Sequence, residues 1–202
     1  MFNCEEISLN WDEAYKGTPP WDVGHPQPVF ETLIEDGEIK PGRALDIGCG
    51  RGENAIMLAI SGCDVTDIDL AEVAISDAKA KAAERHLNVN LIVADVLRMD
   101  QLFMEAEFDV VIDSGLFHTM TDEERPIFAW QVHRVLKPGG KYFMLCFSDK
   151  EPEGLGPRRV SKAEIEHTFT PFFNIVYIKD SAFESKFGSC RREAYLVSAV
   201  RS

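Results

Sequence analysis

The sequence has no long apolar run. The longest uninterrupted apolar stretches, such as residues 55–60, have the length of core segments, whereas a membrane-spanning helix needs about 20 apolar residues. Residues 1–6 have neither the basic start nor the apolar middle of a secretory signal. We therefore expect a protein with no membrane partner.

Cysteine is scarce and irregularly placed. The chain has five cysteines, an odd number, and none of them belongs to a C-x-x-C pair. Neither disulfides nor a metal site is expected from such scattered residues. A reducing compartment, the cytoplasm, is the predicted location. The five positions are Cys4, Cys49, Cys63, Cys146 and Cys190.

Positive charge is in short supply. Lys and Arg number 21 against 34 Asp and Glu, which gives a net charge of −13. Such a surface repels phosphate backbones, so nucleic acid is not expected as a substrate. The same charge is ordinary for soluble proteins, and it identifies no partner.

What the chain does contain is a regular alternation of strand and helix patterns. Its 202 residues suit one domain, and 45% of them are apolar and able to fill a core. The alternation predicts a mostly parallel sheet covered by helices on both faces. The first predicted strand ends at Asp46, and four more span residues 63–69, 89–94, 108–112 and 141–147. The predicted helices include residues 70–85 and 121–136.

The two ends of the chain have a different character. Residues 161–169 predict a helix capped by Ser161, and strands at 172–179 and 194–200 follow. Their short connection at residues 187–189 predicts an antiparallel pair. Near the N-terminus, tryptophans and prolines precede a helix opened by Pro26 or Pro28. We divide the single domain, residues 1–202, into an N-terminal helical lid (1–40), a core (41–150) and a C-terminal helix and β-hairpin (151–202).

The most informative motif lies at the end of the first predicted strand. Asp46 is followed by Gly48, Gly50 and Gly52 in a G-x-G-x-G pattern, and a helical pattern begins at once. This order predicts a tight turn whose backbone comes close to a ligand. The dinucleotide fingerprint G-x-G-x-x-G has a different spacing. An acid at this turn suits a cationic amine, although an NAD(P)-dependent oxidoreductase remains the enzyme alternative.

Acidic residues end four of the predicted strands. They are Asp46, Asp69, Asp95 and Asp113. In a parallel sheet these strand ends meet at one edge, where ligands bind. Any one of them alone is more simply a helix cap or turn residue, but clustered carboxylates are costly unless donors or cations meet them. The set predicts a ligand with amines and hydroxyls.

These motifs resemble those of class I S-adenosylmethionine (SAM) methyltransferases over roughly residues 40 to 150. The resemblance implies a Rossmann-like, doubly wound, mostly parallel seven-stranded sheet with an antiparallel last strand. It also implies that SAM binds here and leaves as S-adenosylhomocysteine. Asp67 departs from the family, which more often has glycine there. The implied cofactor residues are Asp46, Gly48, Cys49 and Gly50 for the methionine end, Asp69 for the ribose, Leu70, Asp95 and Val96 for adenine, and Asp113 in motif IV.

The N-terminal segment resembles the lid of thiol/halide and thiopurine-methyltransferase-like enzymes, and that of enzymes that methylate heterocyclic small molecules. Trp11 and the Trp21-Asp22-Val23-Gly24 run carry this likeness. Aromatic rings beside a sulfonium gain cation–π stabilisation, and a closed lid excludes water. The competing interpretation is that Trp11 and Trp21 only pack the lid onto the sheet.

The predicted reaction is an in-line transfer of the SAM methyl group to sulfur, nitrogen or oxygen of a small-molecule acceptor. His118 and Asp22 are the candidate catalytic residues, His118 as a general base. An equally open interpretation is that His118 is a structural histidine whose hydrogen bonds are made within the fold. A SAM-binding sensor or scaffold without catalysis is the alternative from another class. Further pocket candidates are Ser114, Phe117, His25, Arg158 and Arg159.

Overall fold

The computed structural model describes residues 11–152, 154, 156–186 and 191–202. The helices of this part are α1 (Trp11–Tyr15), α2 (Pro28–Glu35), α3 (Glu53–Ile60), α4 (Glu72–Glu84), α5 (Glu124–Val135) and α6 (Lys162–Phe169). Its strands are β1 (Arg43–Ile47), β2 (Asp64–Asp69), β3 (Val89–Val93), β4 (Phe108–Ser114), β5 (Leu136–Phe147), β6 (Phe173–Glu184) and β7 (Arg191–Arg201). Short 3₁₀ turns cover Val96–Gln101 and Phe117–Thr119.

All these strands belong to one sheet in the order β3-β2-β1-β4-β5-β7-β6. The pairs from β3 to β5 are parallel, and β7 runs antiparallel to both β5 and β6. The strand order reverses between β1 and β4, which is where an open α/β sheet binds its ligand. The predicted fold class is confirmed. The predicted hairpin connection at residues 187–189 lies outside the described residues.

Helices cover both faces of the sheet because successive strand residues alternate between two apolar clusters. One cluster contains Leu45 and Ile47 of β1 with the rings of Phe128 and Phe169. The other contains Ala44 of β1 and Phe30 of α2. Asp46 shares the face of Ala44, so a carboxylate enters the second side of the sheet at the end of β1.

Most predicted helix and strand positions agree with the structure to within a few residues. Ser161 caps α6 with a reciprocal capping box to Glu164. Pro28 is the first residue of α2. The main difference concerns β5, which begins at Leu136 instead of residue 141. Pro138 has no N–H to donate to the ladder, and the pairing of β4 with β5 shifts register across this stretch. The strand continues through this irregularity, whereas the Pro-Gly-Gly sequence by itself predicts a turn.

Across the described part of the chain, none of the helices has the length and hydropathy that crossing a membrane requires.

Candidate active site

The glycine turn predicted from the sequence joins β1 to α3. Its glycines have left-handed backbones, with φ of 67° at Gly48, 54° at Gly50 and 74° at Gly52. A Cβ at Gly50 would lie 2.5 Å from the hydroxyl oxygen of Tyr15, and one at Gly52 would lie 3.0 Å from the Cβ of Ala78. Glycine is therefore required here both by conformation and by the close approach of the lid and α4.

Asp46 lies beneath this turn with its carboxylate fully buried. Among the described residues, neither carboxylate oxygen has a hydrogen-bond partner. Burial and the nearby carboxylates, first that of Asp67, raise the pKa of Asp46 well above its usual range. A buried carboxylate without a donor is costly, and a bound cation or amine removes that cost.

Asp69 ends β2 and supports the turn directly. Its Oδ2 accepts the Gly50 N–H at 2.8 Å, and its Oδ1 accepts the Ala71 N–H at 2.9 Å. Each carboxylate oxygen has a second lone pair for a further donor. Leu70, next in sequence, is 55% exposed and leaves an apolar surface at this strand end. The ribose and adenine roles of the two residues stay predictions.

Asp95 and Val96 lie one strand further out. Asp95 caps the 3₁₀ turn, because its Oδ1 accepts the Leu97 N–H at 2.9 Å. Its side chain is 40% exposed and its Oδ2 lies 3.9 Å from the Arg98 Nε, whereas Val96 is buried. The predicted role of Asp95, accepting a hydrogen bond from the adenine amine, stays a prediction. Because the Val96 side chain is buried, only the backbone of Val96 could bind adenine.

Asp113 differs from Asp46 because the fold itself supplies donors to its buried carboxylate. Its carboxylate accepts the N–H groups of Leu116 at 2.7 Å and Phe117 at 3.1 Å, and the Tyr142 hydroxyl at 3.1 Å. Burial raises the pKa of Asp113 to about 7 in spite of these donors. Asp113 thus fixes the loop after β4, and its direct contact with cofactor stays a prediction.

An aromatic cluster holds the lid over the glycine turn. The Trp21 Nε1 donates to the Tyr15 hydroxyl at 3.0 Å, and the Trp11 and Trp21 rings meet edge to face with centroids 5.9 Å apart. Asp12 of α1 accepts the Val73 N–H at 3.0 Å, which caps α4 where the N-cap residue Ala71 has no side-chain oxygen. The tryptophans therefore pack the lid against the core, as one of the two interpretations expects.

Arg51 is a site residue that the sequence reasoning missed. Its guanidinium forms ion pairs with Asp22 of the lid and Asp77 of α4. It also donates to the backbone carbonyl oxygens of Tyr15 at 2.8 Å and Gly17 at 3.1 Å. Asp22, a predicted catalytic candidate, is thus engaged in attaching the lid. The position of Arg51 inside the glycine turn could have indicated a role at the site, but no local sequence pattern indicates which residues it contacts.

His118 is buried on the other side of the switch point, where it packs against two phenylalanines that also contact each other. The Phe147 N–H donates to its Nδ1 at 3.0 Å. The ring centroids of Phe147 and Phe183 lie 4.8 Å and 5.9 Å from that of His118. Burial, followed by Arg159 and Arg125, lowers the pKa of His118 to about 3. The imidazole is therefore neutral with its proton on Nε2, a state that donates rather than accepts a hydrogen bond there.

The remaining candidates are engaged by the surrounding structure. Arg158 forms ion pairs with Asp122 and Glu164, and Arg159 donates to the Pro152 carbonyl oxygen at 2.6 Å. His25 Nε2 lies 3.4 Å from a Glu184 carboxylate oxygen. These contacts attach the loops that border the acceptor side. Cys49 is buried, and burial together with Asp67 raises the pKa of its thiol well above the usual range, so it is no nucleophile.

Comparisons with known proteins agree with this geometry. A family model described as a methyltransferase domain matches residues 44–140. The 2-heptyl-1-hydroxyquinolin-4(1H)-one methyltransferase of Mycobacteroides abscessus is 36% identical over 182 residues, which cover 85% of this chain and 79% of that protein. The probable thiol methyltransferase 2 of Arabidopsis thaliana is 31% identical over 181 residues, which cover 88% of this chain and 79% of that protein.

A solved structure, described for the conversion of a disulfide bond into a thioacetal group during echinomycin biosynthesis, is similar throughout. It is 32% identical with a TM-score of 0.86, and the match covers 95% of this chain and 90% of that one.

The residues at the switch point fit SAM as the cofactor. The donor-free carboxylate of Asp46 matches a cationic amine, and Asp69 has lone pairs available for ribose hydroxyls. The exposed Leu70 offers an apolar surface to adenine. Together with the relatives, these features show that the chain belongs to the SAM-dependent methyltransferases.

Proposed function

We propose that the acceptor is a small planar molecule that presents an ionised or easily ionised sulfur, nitrogen or oxygen atom. The observation that carries this proposal is the neutral imidazole of His118, which packs against Phe147 and Phe183 and whose Nε2 proton has no hydrogen bond among the described residues. Aromatic walls favour a flat apolar body, and an N–H donor favours an anion or carbonyl. The relatives named for a hydroxyquinolinone and for thiols fit the same description.

SAM, when bound, supplies an activated methyl group, so the chain's residues mainly position and desolvate the acceptor. The proposed role of His118 is to orient the acceptor and favour its ionised form through Nε2. A general-base role is disfavoured because Nδ1 is occupied and Nε2 already carries the proton. The tryptophans and Arg51 hold the lid that excludes water from the reacting atoms. Asp46 and Asp69 bind the cofactor on the opposite side.

A product assay across acceptor classes tests the proposal. Purified protein is incubated with SAM and hydroxyquinolones, aromatic thiols, aliphatic thiols, halides or thiocyanate, and S-adenosylhomocysteine is quantified. We expect the highest kcat/KM with a flat aromatic acceptor whose heteroatom ionises near neutral pH. Higher kcat/KM with halides or thiocyanate would contradict the aromatic acceptor. Absence of product across the whole panel, with SAM still binding, would favour the non-catalytic alternative for this chain.

Two coarser expectations accompany this function. We propose a cytoplasmic location, which is supported by the free, buried thiols of Cys49, Cys63 and Cys146. The positions Cys4 and Cys190 lie outside the described residues. We also propose that nucleic acid is not an acceptor, which is supported by the net charge of −13. Cell fractionation and a methylation assay on mixed nucleic acids test the two expectations.

A further inference from the structure

Two buried carboxylates lie side by side under the glycine turn. Asp46 of β1 and Asp67 of β2 are register partners in the parallel ladder, so their backbones are about 4.8 Å apart and their side chains project from the same face. Both residues are fully buried.

The fold offers this pair almost no compensation. Among the described residues, no N–H or O–H group donates to any of the four carboxylate oxygens. The weakly donating thiol of Cys49 lies beside Asp67 and lowers its pKa, yet burial dominates and raises that pKa well above the usual range. Asp67 is also close to the start of α3, since a Cβ at Gly52 would lie 3.7 Å from its Oδ2.

The charged groups around the pair do not neutralise it. Asp69 on β2 and Asp113 on β4 are acids that add repulsion. The nearby cations are Arg51 of the turn, which is held by Asp22 and Asp77, and Lys81 of α4, which pairs with Glu53 of α3. Tyr15 of the lid is also buried, and burial with the Asp69 charge raises the pKa of its phenol. Full burial and the neighbouring acids therefore disfavour the state in which Asp46 and Asp67 are both ionised.

We propose that Asp46 and Asp67 form a proton-sharing carboxyl pair that releases a proton to solvent when SAM binds. Asp46 is the residue placed to meet the cationic amine, and Asp67 is a positioning residue that acts through it. The incoming positive charge replaces the shared proton, so binding strengthens as the pH rises. SAM carries one more positive charge than S-adenosylhomocysteine, so the pair favours the methyl donor over the product.

Calorimetric titration of the protein with SAM tests the proposal without any acceptor. Titrations run from about pH 5.5 to about pH 7.5, below the range in which an α-amino group loses its proton, in buffers of different ionisation enthalpy, count the protons released. We expect release of close to one proton at the lower end and a Kd that falls by up to about tenfold per pH unit. With S-adenosylhomocysteine the Kd is expected to be weaker at every pH. A pH-independent Kd with no proton release would overturn the proposal.

The variants Asp67→Asn and Asp67→Gly assign the effect to the pair. Both are expected to reduce the number of protons released on SAM binding and to flatten the pH dependence of the Kd. Any proton released by Asp113, whose pKa is also raised, is unaffected by these variants. Asp64→Asn is the matched control, because Asp64 lies on the same strand with its side chain 77% exposed. If the Asp67 variants keep the wild-type proton count, the pair is not the source. If they do not fold, as judged by circular dichroism, Asp113→Asn in the otherwise wild-type chain decides: a retained proton count supports the pair, and a lost one overturns it.

Discussion

The two sides of the switch point are built on different principles. On the cofactor side, β1 and β2 place carboxylates without donors under a glycine turn, and the charge there must be met by a ligand. On the proposed acceptor side, the fold supplies the donors of Asp113 and the Phe147 N–H that binds the His118 Nδ1. The cofactor side therefore presents buried carboxyl groups that a cationic ligand can meet, whereas the proposed acceptor side presents aromatic rings and one N–H donor.

This difference explains how one scaffold accepts one donor molecule and varied acceptors. SAM brings the same ammonium, ribose and adenine in every case, so charged groups at strand ends can bind it with a short list of residues. An acceptor site composed of rings and one N–H selects by shape and by a single hydrogen bond. Small changes in the surrounding loops then change the acceptor without affecting cofactor binding.

The largest expected effect comes from adding a methyl group to the glycine turn. Gly50→Ala places a Cβ against the Tyr15 hydroxyl at a left-handed backbone position. We expect a loss of roughly 2–4 kcal/mol in unfolding free energy, from backbone strain and the clash together, and weaker SAM binding. Chemical denaturation and calorimetry measure the two effects.

Gly139→Ala is the control for this substitution. Gly139 has a φ of 76° but nothing within 4 Å of its Cβ position. It should lose only about 1–2 kcal/mol of stability and keep the SAM affinity. Equal losses of SAM affinity in the two variants would show that the contact of lid and turn is unimportant.

The next largest effect should appear only on the acceptor side. His118→Phe keeps an aromatic ring but removes the Nε2 donor, so we expect the acceptor KM to rise by roughly tenfold to a hundredfold, the loss of about 1.5–3 kcal/mol for a charged hydrogen bond. His118→Gln carries an N–H in a similar place and should recover part of it. His118→Phe also removes the Nδ1 acceptor of the Phe147 N–H, so the folded fraction is checked by denaturation and KM is compared per folded protein. Steady-state kinetics with the acceptor selected by the product assay provide the comparison.

The pH profile separates a donor from a base at this position. Since the pKa of His118 is about 3, the imidazole stays neutral between pH 5 and 8, and its titration should not appear in kcat/KM. A limb near pH 6.5 that disappears in His118→Gln would restore the general-base interpretation.

A smaller effect tests how firmly the lid is held. Arg51→Lys keeps the charge but cannot reproduce four separate contacts to the lid and α4. We expect a SAM Kd several-fold weaker and a lower kcat, because the lid opens more readily. Arg85→Lys, at an exposed position with one long contact to a helix carbonyl oxygen, is the control. Equal behaviour of the two variants would argue against a lid held through Arg51.

The last prediction concerns the dependence of stability on pH. Burial raises the pKa of Asp113 from 3.8 to about 7, so the folded chain binds more protons than the unfolded chain between these values. Its contribution to the unfolding free energy therefore falls as the pH rises from about 4 to about 7, by at most roughly 4 kcal/mol. Asp113→Asn should make the pH dependence of urea denaturation shallower. An unchanged slope would show that Asp113 is ionised throughout.

The cofactor side could be predicted from the sequence because its information is local. Asp46 and the glycines lie within seven residues, and Asp69 follows on the next strand. The parallel order then brings these positions to one edge. The long-range partners were not predictable in this way. Nothing near Arg51 indicates that it contacts Tyr15 and Asp77, and Phe183 reaches His118 only because β6 and β7 fold back beside β5.

The role of His118 shows the same limit. The sequence predicts that His118 follows β4, but it does not predict whether the imidazole acts as a base or as a hydrogen-bond donor. The backbone N–H of Phe147, 29 residues away, determines which nitrogen carries the proton. Tautomer and burial depend on the packed structure, so no local pattern distinguishes a base from a donor.

The most direct test of separate cofactor and acceptor sides is the SAM Kd of two variants measured side by side by calorimetry. Asp46→Ala should weaken SAM binding by roughly 1–3 kcal/mol, the range for losing a charged partner, whereas His118→Phe should leave the Kd within about twofold of wild type. An unchanged Kd in Asp46→Ala, or equal losses in both variants, would contradict the account.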